Sequence, residues 1–228
     1  MPAPAPARRS PPRDADDLRA RADGIEGRTL AELAWGLGFV VKGDRVRTKG
    51  KAGELLERAL GASGGSAAVH DFPELGIELK TIPIDERGVP RESTYVCTLV
   101  LTEADAAEWS TSWVRAKLAH VLWIPIVTPR DDTEPRIGTP LLWRPTRDQE
   151  AQLAADFDEV VGAIGIGGVE GLTARAGRWL QVRPKARDGN ARTLAYGPDG
   201  ERIATVPRGF YLRPSFTGAL LRDPSATP

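Results

Sequence analysis

The chain has 228 residues, of which 41% are hydrophobic and 27% charged, so it is long enough to bury a sizeable core. Its single cysteine excludes a disulfide framework, and the sequence lacks the cysteine and histidine spacing of a zinc module. No apolar run approaches the roughly 20 residues that a membrane-spanning helix needs, and the N-terminus lacks the apolar segment of a secretion signal. We therefore expect a cytoplasmic protein that does not contact a membrane.

The formal net charge is zero, but the charges are sorted along the chain. Residues 172–222 include ten basic and three acidic side chains, whereas residues 147–170 include one basic and six acidic side chains. A basic face suited to phosphate contact can therefore exist on a neutral molecule. A chance asymmetry among solvated side chains would give the same counts, so the sorting favours a nucleic-acid partner only mildly.

The predicted elements alternate between helices and β-rich runs. Residues 1–13 are rich in proline and alanine and predict a disordered tail, which is followed by a single domain over residues 14–228. Helices are predicted at 14–23, from 29 onward, and at 53–60, 112–120, 149–164 and 216–222. Strands are predicted at about 69–84, 95–101, 121–127, 139–143, 179–182 and 203–206. This order predicts an α/β protein with a mixed central sheet flanked by helices.

The most informative segment is residues 76–81, Gly-Ile-Glu-Leu-Lys-Thr. Side chains alternate on an extended strand, so Glu78 and Lys80 are expected on one face and Leu79 on the other, toward a core. A solvent-exposed strand also commonly carries alternating charges. From the motif alone, a functional strand and a merely exposed strand are about equally good explanations.

An aspartate precedes this strand and could complete a catalytic group. A proline and a glycine between Asp71 and Glu78 are typical of a turn that folds Asp71 back beside Glu78, which would place the motif on two adjacent central strands. Mg²⁺ usually takes one or two protein carboxylates and completes its shell with water and phosphate. Asp71 and Glu78 suit that role, and Lys80 could offset the charge that develops on a phosphate. Glu57, on the preceding helix, could serve a second metal or position a water molecule.

Further segments, in order along the chain, resemble the MutH family of DNA mismatch repair endonucleases. The resemblance includes Leu-Gly-Ile-Glu-Leu-Lys-Thr-Ile-Pro at 75–83 and Pro-Arg-Gly-Phe-Tyr-Leu at 207–212. The other matching segments are 55–57, 60–63, 71–72, 114–118, 121–125, 140–143 and 183–185. The segments keep the family's order, and the resemblance covers the chain from about residue 25 to residue 222.

This resemblance implies a restriction-endonuclease-like fold with two lobes around a DNA-binding cleft. The catalytic residues would lie in the N-terminal part and the DNA-reading elements largely in the C-terminal part. It also implies nicking of the unmethylated strand at hemimethylated GATC sites, with Mg²⁺ as cofactor and Mn²⁺ as a possible substitute. The implied partners are double-stranded DNA, MutL as activator and MutS indirectly, and the protein is expected to be a monomer.

The resemblance also implies roles for individual residues. Asp71, Glu78 and Lys80 match the family's catalytic triad, with Asp71 and Glu78 as metal ligands. Glu57 matches an additional active-site carboxylate that could also bind metal, and Lys117 matches a lysine near the active site.

The resemblance also implies that a second group of residues contacts DNA: Lys49, Gly50, Tyr95, Arg183, Pro184, Lys185 and Tyr211. Arg183 falls on the base-reading loop, where an arginine suits bidentate contact with guanine O6 and N7. Tyr211 falls where a tyrosine is thought to sense adenine methylation.

Structural explanations exist for several of these residues. Lys117 could be a solvated helix residue, Tyr95 and Tyr211 could simply pack, and Pro184 could only shape a turn. His120 has no recognisable partner and is interpreted as incidental.

Two other functions are compatible with the sequence. A GATC-specific type II restriction endonuclease of the same superfamily would cut both strands, but the short single-module chain argues against it. A non-catalytic DNA-binding module could have kept the fold, but the intact set of Asp71, Glu78 and Lys80 argues against it.

Overall fold

A computed structural model describes residues 9–39, 51–65, 69–130, 134–172, 175–185 and 190–228. The predicted DNA contacts Lys49 and Gly50 lie outside these residues. Within the described ranges, no helix is both long and apolar enough to cross a membrane.

The six predicted helices are all present among the described residues. They are α1 (Ala15–Asp23), α2 (Leu30–Gly36), α3 (Lys51–Leu60), α4 (Trp113–Leu118), α5 (Arg147–Gly165) and α6 (Pro214–Arg222). The start of α2 is set by a capping box, in which Glu32 N donates to Thr29 Oγ1 and Thr29 N donates to a Glu32 carboxylate oxygen.

The predicted strands are found with shifted ends. The described strands are β1 (Glu78–Ile84), β2 (Thr94–Leu99), β3 (Val121–Val127), β4 (Arg136–Ile137), β5 (Leu141–Trp143), β6 (Leu180–Pro184), β7 (Thr193–Tyr196), β8 (Arg202–Thr205) and β9 (Arg208–Leu212). Three of them, β4, β7 and β9, were not predicted. The first has only two residues, and the other two begin or end beside glycine and polar residues that are more typical of loops.

The chain divides into two compact units, each built from two segments. The first comprises Met1–Arg91 and His120–Arg144. Its sheet has β1 parallel to β3, while β4 and β5 run antiparallel to β3, so the predicted mixed sheet is confirmed. The prediction of two adjacent central motif strands is wrong. Only β1 carries the motif, at the end of the described strand order, because residues 73–75 form a short 3₁₀ helix instead of extending the strand.

The core of the first unit lies between α1, α2, α3 and one face of the β1–β3 pair. Leu56 and Leu60 of α3 are fully buried there together with Leu122 and Ile124 of β3. Leu79 points into the same core, as its place in the strand alternation predicts. The opposite face of β1 is therefore the one that carries Glu78 and Lys80.

The described end of the predicted tail is held against the first unit. Arg9 N donates to the carbonyl of Arg58 in α3 at 3.3 Å, and the guanidinium of Arg21 in α1 donates to Ser10 O at 2.6 Å. Residues 9–13 thus contact both helices, although their composition predicts a disordered tail.

The second unit comprises Glu92–Ala119 and Pro145–Pro228. Its antiparallel sheet has the order β2-β9-β6, and β7 and β8 form a separate two-stranded hairpin. Aromatic rings fill its core. Phe157 of α5 stacks on Phe210 of β9 with centroids 5.6 Å apart, and Trp179 stacks on Phe216 of α6 at 4.7 Å.

A buried carboxylate joins α5 to the start of β6. The side chain of Asp156 accepts hydrogen bonds from the backbone N–H groups of Arg178, Trp179 and Leu180 at 2.7–2.8 Å. Gln152, one turn earlier on the same helix, also donates to Asp156 at 2.9 Å. Because charge-assisted bonds of this kind are strong, Asp156 holds the chain in place as it enters the sheet.

Replacement of this carboxylate should destabilise the second unit. Asp156→Ala leaves three backbone N–H groups without their acceptor, so we expect the free energy of unfolding to fall by about 3 kcal/mol or more. Urea denaturation followed by circular dichroism measures this loss. The matched control is Asp158→Ala, because Asp158 lies on the same helix but is exposed. Equal losses for the two variants would contradict the anchoring role.

Candidate active site

Glu78 and Lys80 form a largely buried ion pair on β1. Lys80 Nζ donates to Glu78 Oε1 at 2.7 Å, and the two side chains are only 12% and 5% exposed, respectively. Their position on one face of the strand is as predicted. The alternative of a merely exposed strand is wrong, because an exposed strand would leave both charges in water.

Asp71 is folded back against this strand by a tight turn. Phe72 and Ile77 pair as an antiparallel bridge on either side of the short 3₁₀ helix, and Gly76 adopts a left-handed conformation with φ +61°. Such a φ strongly favours glycine. Asp71 Oδ2 consequently accepts a hydrogen bond from Leu79 N, the residue between Glu78 and Lys80, at 2.8 Å. The predicted turn is confirmed.

The segment after α3 is tied to the backbone of the same aspartate. Ser63 N and Gly64 N both donate to Asp71 O, at 3.0 and 3.1 Å. Ala62 N in turn donates to the carbonyl of Glu57, near the end of α3, at 2.8 Å. The helix that carries the half-buried Glu57 is therefore linked to Asp71 through residues 62–64, whose backbone N–H groups bond to Glu57 and to Asp71.

The side chains of this group fit a hard divalent cation. Asp71 and Glu78 supply carboxylate oxygens, which are the protein ligands that Mg²⁺ and Ca²⁺ prefer. Among the described residues, no three His, Cys, Asp or Glu side chains are grouped closely enough to hold a metal ion by themselves.

His120 is part of the support for this site, although the sequence suggested an incidental residue. Its carbonyl accepts a hydrogen bond from Glu78 N at 3.0 Å, directly before the parallel register of β1 and β3 begins. Its imidazole is buried, and among the residues that the structure describes Nδ1 has no hydrogen-bond partner. Burial lowers the pKa of His120 below its usual range, and the charge of Arg144 adds to the fall. The side chain is therefore neutral near pH 7.

Lys117 belongs to the second unit, on α4. Its side chain is buried and its ammonium lies 4.9 Å from the ring centroid of Trp113. The alternative of a solvated helix lysine is therefore wrong.

A second cluster of predicted residues lies on the antiparallel sheet of the second unit. Tyr95 of β2 pairs with Tyr211 of β9, and their rings meet edge to face with centroids 5.3 Å apart. The guanidinium of Arg183 lies 6.0 Å from the Tyr211 ring, and Lys185 Nζ lies 4.2 Å from the Tyr95 ring. Two cations are thus held over a pair of aromatic rings at one face of the sheet.

The two phenols stay protonated near neutral pH. Burial raises the pKa of Tyr211 above its usual range, Tyr95 adds to the rise, and the charge of Arg183 acts in the opposite direction. Burial likewise raises the pKa of Tyr95, although its hydrogen bond to Thr98 opposes the shift. Both hydroxyl groups can therefore act as hydrogen-bond donors.

Polar residues that the sequence did not indicate surround this cluster. Ser93 Oγ accepts hydrogen bonds from Gln181 and from Arg183, and Arg213 donates to Gln181. These partners are 32 to 90 positions apart in the chain. No local spacing pattern could have brought them together.

Known proteins resemble the chain over nearly its whole length. The family model described as the DNA mismatch repair enzyme MutH matches residues 60–156. The chain is 50% identical over 213 residues to the DNA mismatch repair protein MutH of Serratia proteamaculans (strain 568), which covers 92% of this chain and 93% of that protein. It is 49% identical over 214 residues to MutH of Escherichia coli O9:H4 (strain HS), with 93% of each protein covered. MutH of Shigella boydii serotype 18 (strain CDC 3083-94 / BS512) matches to the same extent.

The chain belongs to the MutH family of DNA mismatch repair endonucleases. The MutH family has a restriction-endonuclease-like fold, which the mixed α/β architecture fits. Its members are hydrolases that act on DNA, and this class of nuclease points to a divalent metal cofactor.

A methyl group at Gly64 should disturb the position of Asp71. A Cβ built on Gly64 would overlap the carbonyl of His70 and lie 3.2 Å from Asp71 Cα. We expect Gly64→Ala to lower the free energy of unfolding by about 1–3 kcal/mol and to slow DNA cleavage about a hundredfold, because a 1 Å misplacement can cost that much.

Urea denaturation and a plasmid cleavage assay measure the two effects. Gly53→Ala in α3 is the control, because nothing lies within 4 Å of the added methyl group. Unchanged cleavage by a folded Gly64→Ala variant would show that the contact does not control Asp71.

Proposed function

We propose that this protein nicks the unmethylated strand at hemimethylated GATC sites by Mg²⁺-dependent hydrolysis of a phosphodiester bond. The observation that carries this proposal is the buried Glu78–Lys80 pair, 2.7 Å apart, with Asp71 hydrogen-bonded to the same strand. Two carboxylates and one ammonium at one end of a rigid strand are the groups that metal-assisted phosphodiester hydrolysis requires.

Asp71 and Glu78 would hold the cation. Mg²⁺ matches their hard oxygen donors and keeps several waters when few protein ligands are available, and Mn²⁺ is a possible substitute. When bound, the metal polarises the scissile phosphate and lowers the pKa of a coordinated water. The bond between Leu79 N and Asp71 Oδ2 orients one carboxylate, and the Lys80 ammonium orients the other.

Lys80 would stabilise the charge that develops on the phosphate during attack. Its ammonium is already largely removed from solvent, so it needs little reorganisation, and its charge is screened less than that of an exposed lysine. Glu57 would position the attacking water. Lys117 would act near the active site, as its match to the family implies.

The cluster on the second unit would read the DNA sequence. Arg183 carries an exposed guanidinium, which suits a bidentate contact with guanine O6 and N7 in the major groove. Pro184 ends the same strand and Lys185 follows directly after it, with its ammonium over the ring of Tyr95. Lys49 and Gly50 are proposed DNA contacts from their match to the family alone.

Tyr211 would distinguish methylated from unmethylated adenine. Its ring contacts the Tyr95 ring and the Arg183 guanidinium, so it cannot easily move to make room for a larger base edge. A methyl group on adenine N6 would therefore be rejected sterically on one strand.

The proposed partners follow from the same assignment. The protein would act as a cytoplasmic monomer on double-stranded DNA, since one active site suits the nicking of one strand. MutL would activate it, and MutS would act indirectly.

Removal of the Lys80 ammonium should abolish nicking without abolishing DNA binding. We expect Lys80→Ala to slow nicking by at least about a hundredfold, because a preorganised charge at the phosphate is lost. The nicking rate is measured on a supercoiled GATC plasmid, and DNA affinity is measured by gel shift. A thermal melt checks that the variant is folded. Glu74→Ala is the control, since Glu74 is an exposed carboxylate in the turn between Asp71 and Glu78. Nicking by Lys80→Ala at the rate of the unmodified protein would contradict the catalytic role.

The methylation state of the substrate should decide which strand is cut. With Mg²⁺ and MutL, we expect nicks in unmethylated and hemimethylated GATC plasmids but not in fully methylated ones. Tyr211→Ala should reduce this discrimination, because the rigid ring is lost. Efficient cleavage of both strands in one encounter would instead favour a restriction endonuclease, and no cleavage with any divalent metal would favour a binding module.

A further inference from the structure

Ser93 lies directly before β2 and joins two side chains of β6. Its Oγ accepts a hydrogen bond from Gln181 Nε2 at 2.8 Å and another from a terminal nitrogen of Arg183 at 3.1 Å. Gln181 and Arg183 are two residues apart on the strand, so both point to the same face. Tyr211 lies on this face as well, because it pairs with Gln181 in the antiparallel register.

The hydrogen-bonded chain continues from Ser93 into the interior. Gln181 is buried, and its Oε1 accepts from the guanidinium of Arg213 at 3.3 Å. Arg213 also donates to the carbonyls of Ala176 and Gly177 at 2.8–3.1 Å. Ser93 is therefore fixed on its inner side by a buried network, and this network presents the hydroxyl to Arg183.

The side chain of Arg183 is hydrogen-bonded to this hydroxyl. Its side chain is exposed, and within the described part of the chain Ser93 is its only hydrogen-bond partner. An exposed arginine otherwise samples many rotamers, and that freedom would be lost on each binding event. The Ser93 hydroxyl accepts from one N–H group of the Arg183 guanidinium, and the Tyr211 ring lies next to the same guanidinium.

We propose that Ser93, held by Gln181, is a positioning residue that orients the Arg183 guanidinium for base reading. The ligand is a base edge with two acceptors, as guanine presents in the major groove. This inference rests on the proposed function, because it assumes that Arg183 reads a base. Ser93 does not touch the DNA in this assignment but acts through Arg183.

The test measures specificity in a set of matched variants. The ratio of kcat/KM for a GATC site to kcat/KM for sites with the guanine replaced is determined for the unmodified protein and for Ser93→Ala, Ser93→Thr, Arg183→Ala and Ser93→Ala/Arg183→Ala. We expect Ser93→Ala to lower this ratio about tenfold, as expected for loss of one hydrogen bond to a charged group. Ser93→Thr keeps the hydroxyl and should restore most of the ratio.

The double variant separates positioning from general stability. Once Arg183 is absent, Ser93→Ala should cause no further loss, because the two changes remove one shared interaction. Ser110→Ala is the control for deletion of a hydroxyl, since Ser110 is exposed in the same unit and should leave the ratio unchanged. A thermal melt of each variant checks that the fold is kept.

The outcomes distinguish the base-reading role of Arg183 from the positioning role of Ser93. If Arg183→Ala leaves the ratio unchanged, the base-reading role in the proposed function fails. If Arg183→Ala lowers the ratio but Ser93→Ala does not, or if Ser93→Ala causes the same loss without Arg183, the positioning role of Ser93 is overturned. A failure of Ser93→Thr to restore the ratio also overturns it.

Discussion

A carboxylate removed from water costs several kcal/mol unless an opposite charge and hydrogen bonds accompany it. Glu78 meets this constraint through Lys80, two residues away on the same strand. The hydrogen bond from the backbone N–H of Glu78 to the carbonyl of His120 helps to hold the strand in place. The pair stays buried only while β1 remains in parallel register with β3 and while Leu79 remains in the core on the other face. The charge arrangement of the candidate active site therefore depends on the sheet and the core beneath it.

In the second unit, buried polar groups that are hydrogen-bonded support the side chain proposed to read a base. The buried carboxylate of Asp156 binds the backbone at the start of β6, and the buried Gln181 holds Ser93 in place. The exposed Arg183 thus rests on an interior network and on the ring of Tyr211. A side chain that reads a base benefits from such support, because less conformational freedom is lost on binding. In each unit, buried polar contacts hold the candidate functional side chains in place.

Local patterns predicted much of the secondary structure. Capping residues and apolar periodicity placed all six helices, and the alternation around Leu79 predicted which face of β1 carries the charges. The patterns failed where pairing with a distant segment decides the conformation. Strand β9 begins with Arg208 and Gly209, which are poor strand signals, yet it lies between β2 and β6 and pairs with both. The network around Ser93 escaped prediction for the same reason.

The sequence by itself determined the family, the turn that folds Asp71 back, and the common face of Glu78 and Lys80, because these depend on neighbouring residues and on motifs in order. Only the tertiary structure decided that this pair is buried rather than exposed. It also decided that Arg183 is held by Ser93, 90 residues away. Burial and long-range hydrogen bonds depend on which segments the fold packs together, and the spacing of residues along one segment does not contain that information.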